Sequence, residues 1–181
     1  RDTDRSRGLG DVYKRQDKDT VIEGINDSKK LTAKKREELF DEIMEKAVDF
    51  SIQTATVEEI EDINILNAAM LAMKRAVEDM DTKPDVCLID GNKTPEGLEC
   101  PAIAVVKGDA KSQAVAAASI LAKVARDRYM EQMAEQYPEY RFEKHKGYGT
   151  KLHYQMIDQY GPCGIHRMSF LKKYYAKKNG H

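Results

Sequence analysis

No stretch of this 181-residue chain approaches the ~20 consecutive apolar residues that a membrane span requires, and no signal peptide is visible. Cysteine is scarce: Cys87, Cys100 and Cys163 are odd in number and widely spaced, without a CxxC or Cys/His ligand pattern. That excludes a disulfide scaffold, argues against structural zinc and fits a reducing, cytoplasmic compartment. An excess of one charge is missing too. Charged residues make up 34% of the chain, yet the net charge is −1, so no global basic surplus announces nucleic acid. There is no internal repeat and no low-complexity tract. The length fits one domain, and a native domain of this size buries roughly 70% of its unfolded surface.

What is present is unevenly placed. From Arg141 to His181 nine Lys or Arg stand against Glu143 and Asp158, and all four histidines lie there. Such a basic end is an electrostatic footprint for phosphate, although Lys172-Lys173 and Lys177-Lys178 also suit a solvated tail.

Local patterning gives the elements. Asp27-Ser28-Lys29-Lys30 reads as a polar loop. Thr32 caps a helix running to about Val48, with Leu39, Phe40, Ile43, Met44 and Ala47 on one face. Phe50, Ile52 and Thr54 alternate as a strand with one buried face. Thr56 and Glu59 form a capping box for a short helix, and a longer one follows from Asn64 to about Met80. Its expected core stripe is Leu66, Met70, Met73, Val77 and Met80, with the methionines as core filler. Tyr129, Met130 and Met133 continue a later amphipathic segment that stops near Tyr137-Pro138. Residues 141–150 read as a loop rich in Lys, His and Gly. A helix from Leu152 to Tyr160 is closed by Gly161-Pro162.

The organising stretch is Val105–Asp127. Its helix has small side chains around the whole circumference, which suits burial against a sheet, yet it carries Lys123, Arg126 and Asp127. Lys123 and Asp127 can pair at i,i+4. Upstream, Val86–Ile89 is a short apolar run ending at Asp90-Gly91, and Ala102–Val106 is a second ending near Asp109. Both read as buried strands of an α/β sheet, where ligands gather at the carboxyl ends. Two strands delivering Asp90 and Asp109 to one edge suggest a divalent-metal site, since hard oxygen ligands suit Mg²⁺ or Mn²⁺.

These residues carry a resemblance. Asn26-Asp-Ser-Lys-Lys30, Asn64-Ile-Leu66, Leu88-Ile-Asp-Gly-Asn92, Val105-Val-Lys-Gly-Asp109, Ala116-Ala-Ala-Ser-Ile-Leu-Ala-Lys123, Arg126-Asp127, His145-Lys-Gly-Tyr-Gly-Thr150 and His166-Arg-Met-Ser-Phe170 resemble ribonuclease HII, in that family's order, over roughly Lys18 to Tyr175. The resemblance implies an endonuclease that cuts the RNA strand of RNA/DNA hybrids and single ribonucleotides embedded in DNA by a two-metal mechanism. It also implies a ribonuclease H-like mixed sheet of five strands with flanking helices. A hybrid duplex is the partner expected, with no membrane and with the chain acting as a monomer. Four carboxylates hold the metals in the family, an adjacent Asp-Glu pair on the first strand and two aspartates matching Asp90 and Asp109.

The chain departs from that pattern at its start. The family's Asp-Glu-Ala-Gly-Arg-Gly strand and a following apolar strand have no counterpart in Arg1–Gln16, which lacks apolar alternation. Residues 1–17 are therefore expected to be a leader foreign to the domain, without regular tertiary packing, and 18–181 an incomplete ribonuclease H-like domain with a basic helical C-terminal part. The remaining strand near residue 50 should then be separated from the other pair, and the chain should cleave a hybrid poorly or not at all.

Phosphodiester hydrolysis needs an activated water, charge neutralisation at phosphorus and help for the leaving 3′-oxygen. Lys111 and Ser112 open the buried helix and can bind phosphate at its N-terminus. A Walker A reading fails, because Gly108-Asp-Ala-Lys-Ser112 lacks both the GK pair and the earlier glycine. Ser119 and Lys123 are spaced SxxxK rather than SxxK, which suits helix packing and an ion pair, and Asp127 suits orienting its neighbours. Tyr148, between Gly147 and Gly149, is the candidate for packing on a deoxyribose while testing the ribonucleotide 2′-OH; an exposed turn is the plainer alternative. The family places a junction-sensing tyrosine in the matching motif. Lys146 joins the substrate-binding set, and His145, His166 and Arg167 suit phosphate or structural contacts better than general-base roles. Two further readings stay open: a non-catalytic hybrid-binding fragment using the basic end, and, more distantly, a phosphotransferase built on Lys111-Ser112.

Overall fold

A computed structural model of the chain describes residues 9–15 (backbone only), 21–25 and 28–179. Asn26 and Asp27 of the polar-loop motif, and residues 1–8, lie outside the described residues. The order of elements is β1 (Leu9–Arg15), α1 (Ala33–Lys46), β2 (Asp49–Thr54), α2 (Val57–Asp79), β3 (Cys87–Asp90), β4 (Ala102–Val105), α3 (Gln113–Gln136), α4 (Phe142–His145), α5 (Lys151–Tyr160) and α6 (Met168–Asn179). Short 3₁₀ turns occupy Gly108–Ala110 and Pro138–Tyr140. The chain forms two compact units, one built mainly from 9–54 and 69–126, the other from 55–68 and 127–181. None of the described helices is long and apolar enough to cross a membrane.

Helix starts follow their local chemistry. Thr32 Oγ1 accepts from the Lys35 amide at 3.2 Å and begins α1, which buries Leu39, Phe40 and Ile43. In α2 the capping box closes both ways, Thr56 N to Glu59 Oε2 at 2.8 Å and Glu59 N to Thr56 Oγ1 at 3.2 Å. Asn64 then breaks the helix with φ 68° and ψ 163°. Its Oδ1 accepts from the amides of Leu66 and Asn67, so it caps a second helical stretch, as its residue type favours. Two helices meeting at a capping asparagine match the expected short and long pair. The core stripe is different: Met73, Val77 and Met80 are buried, but Leu66 is 44% exposed, and Ala68, Ala72 and Ala76 are fully buried. Small residues there admit close backbone approach that leucine does not.

Among the described residues, the first unit contains two separate two-stranded sheets. β1 runs antiparallel to β2, pairing Val12 with Ile52 and Arg15 with Asp49, with an irregularity between Leu9 and Val12. Residues 9–15, part of the segment expected to lack regular packing, form this strand, while residues 1–8, 16 and 17 lie outside the described residues. A strand edge presents main-chain N–H and C=O groups that any extended segment can satisfy, whatever its side-chain pattern. β3 and β4 are parallel, with Asp90 opposite Val105. β2 pairs with neither, in keeping with the expected separation. β2's buried residue is Ser51, not one of the alternating set. Its hydroxyl donates to Asp79 Oδ2 at 2.7 Å, while Phe50 and Ile52 are half-buried on the opposite face.

α3 lies against α1: Ala117, Ile120, Leu121 and Val124 pack with Ile22, Leu39, Phe40 and Ile43. A second cluster joins Met73, Val77 and Met80 to Cys87 and Ile89. The strands are less buried than expected, since Val86 (45%), Ile103 (52%) and Val106 (59%) are exposed. The three cysteines form no disulfide. In the second unit, Met130, Tyr140 and Phe142 form the core with Met133, Tyr137, Met156, Cys163 and Ile165 around them. The segment expected to be a loop at 141–150 contains the one-turn helix α4, because Phe142 and His145 turn inward together.

Candidate functional site

In the first unit, the parallel pairing of β3 and β4 brings both strands' carboxyl ends to one edge. Asp90 closes β3 and is exposed. Its Oδ1 accepts from the Gly108 amide at 2.8 Å, and Gly108 is the residue immediately before Asp109. The 3₁₀ turn after β4, entered through Lys107 at φ 56°, therefore sets Asp109 beside the end of β3. Asp109 is half-buried. Gly108 sits in a tight place: a Cβ there would lie 3.1 Å from Val115 Cγ1 and 3.5 Å from Asp90 Oδ1.

The same turn leads into α3. The Ser112 amide donates to Gly108 O at 2.8 Å and its carbonyl accepts from Ala116, so Ser112 sits at the helix entrance with Lys111 exposed beside it. Ser119, deeper on α3, meets the buried Ser28 hydroxyl at 2.8 Å. Arg36 Nη1 donates to the carbonyls of Ser28 and Leu31, tying down the loop that holds Lys29 and Lys30. Lys123, Arg126 and Asp127 are half-buried on α3.

The donor set suits a hard divalent cation through two carboxylates. Among the described residues, however, no group of three or more His, Cys, Asp or Glu side chains could hold a metal ion. Two aspartates fit one ion that keeps most of its water, not a pair of ions.

In the second unit Tyr148 is half-buried. Its amide donates to His145 O, and its carbonyl accepts from the Thr150 amide, both at 2.8 Å. Gly149 admits the Tyr154 ring, whose hydroxyl would lie 2.9 Å from an added Cβ. Lys146 pairs with Glu131, so its charge is partly compensated. Arg167 lies over the Phe170 ring at 5.6 Å.

The phosphate-contact reading of His145 gives way to the structural one. His145 is 5% exposed, its Nε2 bonds Tyr140 O at 2.8 Å, and its Nδ1 accepts from the Gly147 amide. Burial pushes its pKa below the ordinary value, against the opposing effect of that carbonyl. His166 is likewise lowered, chiefly by burial. His153, not singled out in the sequence, lies in the same cluster. Its signal was modest: a histidine three residues after the capping Thr150, on the inner face of α5.

Comparison with known proteins decides the family. A family model described as Ribonuclease HII matches residues 12–173. The chain belongs to the ribonuclease HII family. Among its relatives, the ribonuclease HII of Caldicellulosiruptor saccharolyticus is 53% identical over 156 residues, covering 86% of this chain and 76% of that protein. That of Idiomarina loihiensis is 56% identical over 154 residues, covering 85% and 82%. The crystal structure of ribonuclease H2 from Pyrococcus horikoshii OT3 superposes with a TM-score of 0.66 at 30% identity, covering 81% of this chain and 76% of that one. Ribonuclease HII in the PCNA complex from Archaeoglobus fulgidus shares the fold, with a TM-score of 0.66 at 23% identity. The fold is thus α/β and ribonuclease H-like, and the family is that of type 2 ribonuclease H hydrolases acting on the RNA of RNA/DNA hybrids. The ribonuclease HII match begins at Val12, inside β1 and ahead of the Lys18 at which the motif resemblance begins.

Proposed function

We propose that this ribonuclease HII chain engages RNA/DNA hybrids and DNA carrying single ribonucleotides, and that Asp90 and Asp109 ligate Mg²⁺ or Mn²⁺ at the scissile phosphate. The observation that carries this is the hydrogen bond from the Gly108 amide to Asp90 Oδ1, which joins the two strand ends. A divalent ion held there would help activate water and neutralise charge at phosphorus. The protein's own groups do the rest. Lys111 and the Ser112 helix entrance receive a backbone phosphate. Lys146 and Arg167 supply further positive charge to the duplex. Tyr148 packs on the sugar and tests its 2′-OH. Ser119 braces the Ser28 loop, and Lys123 and Asp127 orient neighbours on α3. The protein works as a monomer in the cytoplasm, away from membranes.

Asp90 and Asp109 by themselves position the nucleophile and the leaving group incompletely, so cutting that rests on these two alone is slow. The test is cleavage of a duplex containing one ribonucleotide in Mn²⁺, alongside binding of the same duplex in Ca²⁺. Slow cutting that Asp90→Asn abolishes, with binding retained, is the expected result. Binding without any Mn²⁺-dependent cutting would favour a non-catalytic hybrid-binding role. An ordinary rate indifferent to Asp90→Asn would overturn the site assignment.

A further inference from the structure

The second unit holds a run of histidines that the proposed chemistry does not use. The Cys163 amide donates to His166 Nδ1 at 2.9 Å. His166 Nε2 and His153 Nε2 are 2.9 Å apart, and His153 Nδ1 lies 2.9 Å from Tyr148 O. These contacts fix every proton. A nitrogen that accepts an amide N–H is bare, so the His166 proton is on Nε2 and points at His153. His153 Nε2 must then be the acceptor, its proton sits on Nδ1, and that proton is donated to the Tyr148 carbonyl. His145, stacked on His153 with ring centroids 4.2 Å apart, is fixed independently: Nδ1 accepts from Gly147 and Nε2–H donates to Tyr140 O.

We propose that His153 and His166 are positioning residues for Tyr148, forming a directional relay of neutral imidazoles from the Cys163 amide to the Tyr148 carbonyl that sets the backbone of the sugar-reading turn. This rests on the reading of Tyr148 given above. Packing alone does not call for the pattern, because an apolar ring would fill the same space beside Phe142. The relay also spans a separation that local turn chemistry cannot. The turn has positive φ at Lys146 (48°), which costs a non-glycine residue, and at Gly147 (79°), so a contact on the Tyr148 carbonyl helps to fix its shape. Cys163 completes the end of the relay: its Sγ lies 3.0 Å from the same His166 Nδ1, and burial raises its pKa, so it stays a thiol and leaves the imidazole neutral. The donors face one another rather than a common point, which excludes a metal centre.

Three measurements on the full chain test this. Long-range ¹H–¹⁵N correlation spectra should show the Nε2–H tautomer for His166 and Nδ1–H for His153; the reverse pair, or imidazolium at neutral pH, would overturn the relay. Amide exchange at Tyr148 and Thr150 should accelerate about tenfold or more in His166→Phe and recover in His166→Gln, whose amide can still donate; equal protection in all three proteins would overturn it as well. Binding in Ca²⁺ compares a duplex with one ribonucleotide against the all-DNA duplex. His166→Phe should lose that preference by about tenfold, as should Tyr148→Phe. If Tyr148→Phe loses the preference and His166→Phe keeps it, the relay is wrong and the Tyr148 reading stands. If Tyr148→Phe keeps the preference, the Tyr148 reading fails, and tautomers and exchange alone decide the relay. Should His166→Phe not fold, the tautomers of the unaltered protein decide.

Discussion

The aspartate edge of the first unit and the histidine cluster of the second are both sets of titratable side chains, yet they are built to opposite ends. Asp90 is exposed and is steadied through Oδ1 by one backbone amide, that of Gly108. His145 and His153 are each 5% exposed and spend their ring nitrogens on Tyr140, Gly147, His166 and Tyr148. The difference teaches that hydrogen-bond accounting separates groups kept for a ligand from groups kept for shape. An exposed carboxylate anchored at one atom retains donor capacity for a cation. A buried imidazole with both nitrogens engaged has none to offer, and its work is to hold the backbone.

The strongest attempt to break that comparison is aimed at the cluster's core. Phe142 is fully buried and its ring meets Tyr140, His145, His153 and His166 at centroid distances of 5.4–5.8 Å. Phe142→Ala should destabilise the second unit by about 3–5 kcal/mol in urea unfolding, and speed amide exchange around Tyr148 as a result. Next in size is a pair of substitutions at the aspartate edge. Asp90→Ala leaves the buried Gly108 N–H without its acceptor and should cost about 1–3 kcal/mol. Asp90→Asn keeps an oxygen acceptor in the same place and should leave the melting temperature nearly unchanged while abolishing Mn²⁺ binding, read by electron paramagnetic resonance. If Asp90→Asn destabilises as much as Asp90→Ala, the carboxylate is structural and the contrast fails.

Asn64 offers a smaller effect outside both regions. Asn64→Ala removes the cap accepted from Leu66 and Asn67 and places a Cβ-bearing residue without that compensation at φ 68°, so a loss of about 1–2 kcal/mol in thermal unfolding is expected. The smallest effect is the cluster's pH response. His145 and His166 are both held below the ordinary 6.5 mainly by burial, with the Tyr140 carbonyl and then Glu143 opposing the shift at His145. The unfolded chain therefore takes up protons first as pH falls below 6.5. Stability is complete above that value and declines through the acid side toward the lowered folded values. Urea midpoints of the second unit should drop between pH 7.5 and 5.5, and His166→Gln should flatten the slope. A midpoint rising on acidification would show that the histidines are charged in the fold.

Much of this was legible because it is local. Thr32, the Thr56–Glu59 box and Gly161 announce helix ends through contacts spanning three or four residues. Asp90 at the end of an apolar run announced a carboxylate at a strand terminus. The misreadings concern what lies across the fold. Leu66 fits a helical stripe and is nonetheless exposed. Ser51 is the buried residue of β2 because Asp79, 28 positions away, receives its hydroxyl proton. Residues 9–15 carry no strand pattern and still pair with β2, since main-chain groups rather than side chains make that ladder.

The chain's own order of residues determined its helices, its caps, the family motifs and the two aspartates, because propensity and capping act within a turn or two of the backbone. The tertiary structure alone decided which of the titratable groups face solvent and which face one another. Gly108 reaches Asp90 across 18 positions, and His166 reaches His153 across 13. A hydrogen bond between residues so far apart forms only after packing has closed the loop between them, and it is that closure which buries one set of titratable groups against each other and leaves Asp90 at the surface.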